Sequence, residues 1–126
     1  VSAYAAGKAA VMRLTENLAF ELDQAEAPVR VFAVTPGFIR TGMTEPFAAT
    51  ERGRRWMGFM AERFAKGQDT TPDHIATLIV AIAAGDLDAF HGRFLQAPDD
   101  APRLDAMREE GERIRNDDDA RRLRIR

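Results

Sequence analysis

Residues 1–37 read VSAYAAGKAAVMRLTENLAFELDQAEAPVRVFAVTPG, and this stretch decides the fold. From Ser2 to about Glu26 there is no Pro and a single Gly, and Val11, Leu14, Leu18 and Leu22 recur at steps of three and four, the spacing of one helix face. Met12, Phe20 and the small cluster Ala5, Ala6, Gly7, Ala9 and Ala10 occupy the other sides. The spacing therefore predicts a long helix that is apolar over more than one face and packs against two surfaces. Pro28 ends it, and Val29, Val31, Phe32 and Val34 form a β-branched and aromatic run closed by Pro36-Gly37. Such a run suits a strand covered on both faces, as in a parallel sheet, and a helix leading directly into a buried strand is the αβ half of a βαβ unit.

Working outward, residues 38–70 are less regular. Gly42, Pro46, Gly53, Gly58 and Gly67 interrupt the large apolar side chains Phe38, Met43, Phe47, Trp56, Met57, Phe59, Met60 and Phe64, which predicts one or two short helices on an excursion from the sheet. Thr71-Pro72-Asp73 is a helix start, with Thr71 as cap and Pro72 in the first position, followed by Ile75, Leu78, Ile79 and Ile82 on one face and a stop near Gly85. Gly92-Arg93-Phe94-Leu95-Gln96-Ala97 before Pro98 reads as a second short strand, completing another helix–strand pair. After Pro102 the chain becomes a charged tail in which Leu104, Met107 and Ile114 mark a weak amphipathic helix and Leu123 and Ile125 alternate with Arg. No internal repeat is present.

At 126 residues the chain is one domain or part of one, long enough to bury a core. Because it opens at Val1, directly inside a helical pattern with no capping region, it is read as a fragment starting within a folded element. With 18 Lys+Arg against 20 Asp+Glu, its field is too weak to favour nucleic acid or an anionic membrane as a partner. The absence of Cys excludes a disulfide framework, a thiolate nucleophile and a zinc–thiolate site, and two histidines make a histidine-rich metal site an unpromising reading. No apolar run is long enough to span a bilayer and no signal peptide is visible, so a cytoplasmic setting is the default.

Tyr occurs once and Lys only twice, yet Tyr4 and Lys8 stand four residues apart. On a helix this spacing sends both side chains from the same face. An unperturbed phenol titrates at about pH 10, and a neighbouring ammonium group favours the phenolate, so the pair has the makings of an acid–base catalyst that exchanges a proton with a substrate oxygen. The same spacing also occurs on solvated helix surfaces with no chemistry attached. What weighs against that plain reading is the surrounding context of small residues, an apolar helix and a buried strand ending in Pro-Gly.

Ser2-Ala-Tyr4-Ala-Ala-Gly-Lys8-Ala-Ala, followed about thirty residues on by Val-Arg-Val-Phe-Ala-Val-Thr-Pro36-Gly37-Phe-Ile39-Arg-Thr41, resembles the classical short-chain dehydrogenases/reductases. The resemblance covers roughly residues 1–100 and corresponds to the C-terminal half of such an enzyme. It implies a Rossmann-type three-layer αβα fold with a parallel sheet over 1–102, a substrate loop at about 42–70, and a charged extension at 103–126. It further implies an NAD- or NADP-dependent oxidoreductase that interconverts an alcohol and a carbonyl. Tyr4 would be the acid–base, and Lys8 its activator and a ligand of the nicotinamide ribose. Pro36 and Gly37 would admit the backbone to the nicotinamide, the Ile39 backbone would meet its carboxamide, and Thr41 would contact the carboxamide or pyrophosphate. The position after the carboxyl end of a strand also suits a ligand site in an open α/β sheet, although Pro36-Gly37 taken alone is an ordinary turn. In the family the helix bearing Tyr and Lys pairs with its symmetry mate, which implies a homodimer or homotetramer.

The family's glycine-rich phosphate loop, its Asn-containing motif and its catalytic Ser would lie upstream of Tyr4. Ser2, two positions from Tyr4, points to another side of the helix and is not that Ser. The isolated chain is accordingly expected to be inactive and to bind no nicotinamide cofactor. Phe47, Trp56, Phe59, Met60 and Phe64 are either an apolar lid over the substrate or packing residues of short helices. His74 and His91 read as surface residues. Asp117-Asp118-Asp119 lacks the alternating spacing of a cation loop and reads as a solvated turn, and Arg121 to Arg126 suit ion pairs or a subunit contact. The competing reading, from a different class, is a non-catalytic interaction or scaffold protein that keeps the fold without the reaction. An intact upstream Gly-rich loop and Ser would separate the two.

Overall fold

The computed structural model describes residues 2–116; Asp117-Asp118-Asp119, Leu123, Ile125 and the terminal arginines fall outside the described residues. In chain order the elements are α1 (Ser2–Gln24), β1 (Ala33–Thr35), α2 (Glu45–Ala49), α3 (Glu51–Ala65), α4 (Pro72–Ala83), β2 (Phe94–Gln96), α5 (Ala97–Asp100) and α6 (Leu104–Arg115), with single 3-10 turns at Asp88–Phe90 and Ala101–Arg103. The long Pro-free stretch forms one helix, as its periodicity predicts. Thr71 occupies the cap position of α4 without a side-chain cap bond, and Pro72 follows in the first turn.

β1 and β2 pair in parallel, with Ala33 opposite Phe94, Val34 opposite Leu95 and Thr35 opposite Gln96. Parallel neighbours require a crossover, and α2, α3 and α4 supply it. The result is a small parallel sheet with helices packed around it, a part of a Rossmann-type α/β fold. Both strands are shorter than their sequence runs. Val29 N–H turns back to the Ala27 carbonyl at 2.8 Å and Val31 N–H goes to a histidine, so paired β1 begins only at Ala33. At the other end Ala97 already begins α5, where the Asp100 carboxylate accepts from Gln96 N–H at 2.7 Å.

The core gathers around β2. Leu78 and Ala81 of α4, Leu87 and Phe90 of the following turn, Leu95, Ala97, and Met107 and Ile114 of α6 form one buried cluster, against which Phe32, Val34, Ile75 and Leu104 pack. Leu78, Leu87, Phe90, Leu95 and Met107 are completely enclosed. Each contributes about 1.5–3 kcal/mol through the apolar surface it removes from water. Arg93, also buried, donates to the Ile114 carbonyl at 3.2 Å and so ties the start of β2 to the last turn of α6. On the surface, Arg108 of α6 bonds Asp86 and Asp105; the hydrogen bond to Asp86 is the main cause of its raised pKa.

Two readings of the sequence are corrected. α1 is not enclosed by two surfaces: Ala19 is its one buried residue among those described, while Val11, Leu14, Leu18 and Phe20 are exposed. The packing that reaches α1 is local, because it depends on Gly92. With φ +72, this residue lies so close to Ala19 that a Cβ on it would come within 2.6 Å of the Ala19 Cβ. His91 is not a surface residue either. Its side chain is 9% exposed, Nδ1 accepts from Val31 N–H at 3.0 Å, and Nε2 faces the Ala19 carbonyl at 3.3 Å. The Val31 bond requires Nδ1 to be the acceptor, which leaves the proton on Nε2 to donate to Ala19. His91 therefore links α1 to β1. His74 is half-buried as well, with its Nδ1 shielded and without a hydrogen-bond partner among the described residues.

Candidate active site

Tyr4 and Lys8 occupy the first two turns of α1, where no Pro or β-branched residue interrupts the helix. Their side chains meet as the four-residue spacing requires, with Lys8 Nζ 5.5 Å from the centroid of the Tyr4 ring. Tyr4 is 69% exposed, so its hydroxyl is open to a ligand. Lys8 has no carboxylate partner among the described residues, which leaves its three N–H donors available.

The segment after β1 is built separately and is much more constrained. Gly37 has φ +83, and a Cβ there would stand 2.6 Å from both Pro98 Cγ and Thr70 Oγ1. The chain can make its turn here only without a side chain, in a conformation that costs other residues about 1–2 kcal/mol. Thr70 N–H donates to the Phe38 carbonyl at 3.0 Å. Arg40 donates to the Phe64 carbonyl at 3.0 Å and lies over the Phe64 ring at 4.7 Å. Phe38 in turn meets Phe59 edge-on at 5.8 Å and carries Arg63 over its face at 4.6 Å. The loop is thereby fastened to α3 on one side and to the residues preceding α4 on the other.

Thr44 is the organising residue that the sequence reading missed. Its hydroxyl donates to the Ile39 carbonyl at 2.8 Å and accepts from Thr41 N–H at 2.9 Å, while the Thr41 carbonyl receives Thr44 N–H and Glu45 N–H, both at 2.9 Å. The signal was present in the sequence. A Thr three positions after another Thr and directly before Glu45-Pro46 has the pattern of a side chain that caps a turn.

Tyr4 and Lys8 are thus brought together, and so are Pro36, Gly37, Ile39 and Thr41, but no hydrogen bond or ion pair among the described residues joins the two groups. Their placement is related through the fold. α1 is joined at Ala19, through His91, to Val31 just before β1, and a hydrogen-bonded turn at 25–28 lies between helix and strand. The carboxyl end of β1 is the end at which open α/β sheets take ligands. Among the described residues no group of three or more His, Asp or Glu is placed to hold a metal ion, and no helix is long and apolar enough to cross a membrane.

The sequence model of the short chain dehydrogenase family matches residues 1–52, a span that contains Tyr4, Lys8, Pro36, Gly37, Ile39 and Thr41. The chain is also 35% identical over 92 residues to a 3-oxoacyl-[acyl-carrier-protein] reductase, FabG, of Thermotoga maritima, an alignment that covers 73% of this chain and 35% of the relative. Residues 1–52 are thus similar to the short-chain dehydrogenase/reductase family. It spans about a third of the length of the curated relative it matches. No solved structure matches the chain.

Proposed function

We propose that the protein carrying this chain is an NAD- or NADP-dependent oxidoreductase that interconverts an alcohol and a carbonyl, with Tyr4 as the acid–base and Lys8 beside it. The observation that supports this reading most is the pairing of Tyr4 and Lys8 on an exposed helix end, inside the residues that match the family. The relative's name, a reductase of a 3-oxoacyl group, is of the same reaction class.

The residues present suit a nicotinamide dinucleotide. The Lys8 ammonium suits ribose hydroxyls, and the Thr41 hydroxyl and the Ile39 backbone suit a carboxamide. When bound, the dinucleotide supplies or accepts the hydride. Tyr4 gives its hydroxyl proton to the carbonyl oxygen in reduction and takes it back in oxidation. Lys8 holds positive charge next to the phenol, which opposes the negative charge left on the Tyr4 oxygen when the proton leaves. Thr44 keeps the backbone of 39–41 in place.

The exposed apolar residues Val11, Leu14, Leu18 and Phe20 of α1 support pairing with a second copy, and the proposed assembly is a homodimer or homotetramer. The proposed domain arrangement takes residues 1–102 as the C-terminal half of the dehydrogenase domain and 103–126 as an extension whose α6 shares the core. The test is nicotinamide oxidation by the intact protein that carries this chain, with a panel of aldehydes, ketones and 3-oxo compounds. Turnover that disappears in Tyr4→Phe is the expected outcome. Full activity in that variant, or no turnover with any carbonyl and either cofactor, would refute the proposal.

A further inference from the structure

α1 carries two stripes on different sides. Val11, Leu14 and Leu18 recur at steps of three and four, whereas Glu16, Phe20 and Asp23 recur at steps of four and three, with Phe20 about 200° round the helix from Leu18. The first stripe is apolar throughout. The second sets one large apolar ring between two carboxylates. Phe20 is 66% exposed, Asp23 is open to solvent with its Oδ1 3.7 Å from Arg30, and Glu16 lies 2.6 Å from Arg13. No basic residue occupies the last turn of α1, so the negative end of the helix dipole adds to these charges. The complement of such a stripe is an apolar segment bearing several cations.

A segment of that chemistry follows α6. Residues 120–126 read ARRLRIR, four arginines and no acid around Leu123 and Ile125. The fold delivers the chain to the right place. Ile114, in the last turn of α6, is tied by its carbonyl to the Arg93 side chain at 3.2 Å, and Gly92, the residue before Arg93, lies against Ala19 of α1, next to Phe20 in the chain. From Ile114 an extended chain reaches about 30 Å by Leu123. Glu16 to Asp23 covers only about 10 Å of helix, so reach is not limiting. We propose that residues 120–126 dock on this stripe of their own chain, with Leu123 and Ile125 against Phe20 and the arginines around Glu16 and Asp23. The C-terminal extension then straps the helix bearing Tyr4 and Lys8 to the core around β2, and the side with Val11, Leu14 and Leu18 is left for a second copy.

Cysteine pairs test this in the intact protein that carries this chain, because a disulfide needs Cα atoms about 5.5 Å apart. Phe20→Cys with Leu123→Cys should link under mild oxidation at least about tenfold faster than Leu18→Cys with Leu123→Cys, read as linked peptides by mass spectrometry. Mixing isotope-labelled with unlabelled protein assigns the contact. Linked peptides of a single label are expected; peptides of mixed label would place the segment on a second copy and overturn the proposal. Without any cross-link, trypsin should cut among the arginines of 120–126 about tenfold faster in Phe20→Gln than in the wild type, because a docked segment must open before it is cut. Added salt should speed the wild-type cleavage by screening the charges. Phe20 is exposed, so its replacement spares the core. Equal linkage of the two pairs, or cleavage that Phe20→Gln leaves unchanged, would refute the strap. Loss of a dimer in Phe20→Gln with cleavage unchanged would give the stripe to a second copy instead.

Discussion

The Lys8 ammonium stands 5.5 Å from the centre of the Tyr4 ring, one helical turn along α1, and the two side chains form a unit before any ligand arrives. An exposed cation over an aromatic face is worth about 0.5–1 kcal/mol, enough to bias the rotamers but too little to lock them. The pair is therefore oriented yet free to turn its hydroxyl and ammonium toward a substrate oxygen and a ribose.

Removing the Tyr4 hydroxyl takes away the proposed proton donor without changing the helix. Tyr4→Phe should lower kcat by about 10²–10⁴-fold, the usual contribution of a positioned acid–base, with nearly unchanged cofactor affinity. Steady-state kinetics together with a cofactor titration check this. Lys8→Met should reduce kcat and also weaken the cofactor, because it removes both the charge beside Tyr4 and the proposed ribose contact.

Thr44→Val keeps the shape of the side chain but removes the hydroxyl that bonds the Ile39 carbonyl and Thr41 N–H. Losing these two bonds should cost about 1–2 kcal/mol locally. Because the loss falls on the proposed nicotinamide contact, KM for the cofactor should rise more than kcat falls. Equal effects on both, or none, would show that the loop holds its conformation without Thr44.

Gly37→Ala forces a Cβ into the space already filled by Pro98 and Thr70, at a φ of +83. Strain and overpacking together should destabilise the protein by about 2–4 kcal/mol, visible as a lower denaturation midpoint. This outcome would mark Gly37 as a packing requirement first, whatever it contributes to a ligand.

His91→Leu fills similar space but strands Val31 N–H and the Ala19 carbonyl. The expected loss is about 1–3 kcal/mol in chemical denaturation, the cost of leaving shielded polar groups unpaired. His91→Gln, which offers an acceptor and a donor again, should recover part of it. Identical stabilities for the two variants would mean that packing, not hydrogen bonding, is what His91 supplies.

Local pattern made much of this legible. The long helix, the Val-rich strand, the start at Thr71-Pro72, the second strand at Phe94 and the helix marked by Leu104, Met107 and Ile114 all follow from periodicity and Pro or Gly punctuation, which are short-range properties. The Tyr4–Lys8 meeting follows from a four-residue spacing in the same way. What could not be read depends on partners distant in sequence. His91 looked like a polar residue before a strand, and only the approach of Ala19 and Val31 turns it into a bridge. Gly92 reads in the sequence as the first residue of the second strand and is a contact point for α1. The exposure of α1 escaped for the same reason, since an apolar face in the sequence does not say what will cover it. The extent of α3 was missed because Gly53 and Gly58 looked like breaks, yet the helix runs Glu51–Ala65 with its one irregularity at Met57.

His91 and Val31 meet across 60 residues of chain, and most of that interval is the α2–α3–α4 crossover. Closing so long an interval costs entropy that grows only logarithmically with length, so doubling the crossover would add about 0.6 kcal/mol. The sheet is thus almost indifferent to how much chain is threaded between its two strands. Insertions and deletions in the crossover can therefore change its length while the pairing of β1 with β2 keeps nearly the same stability.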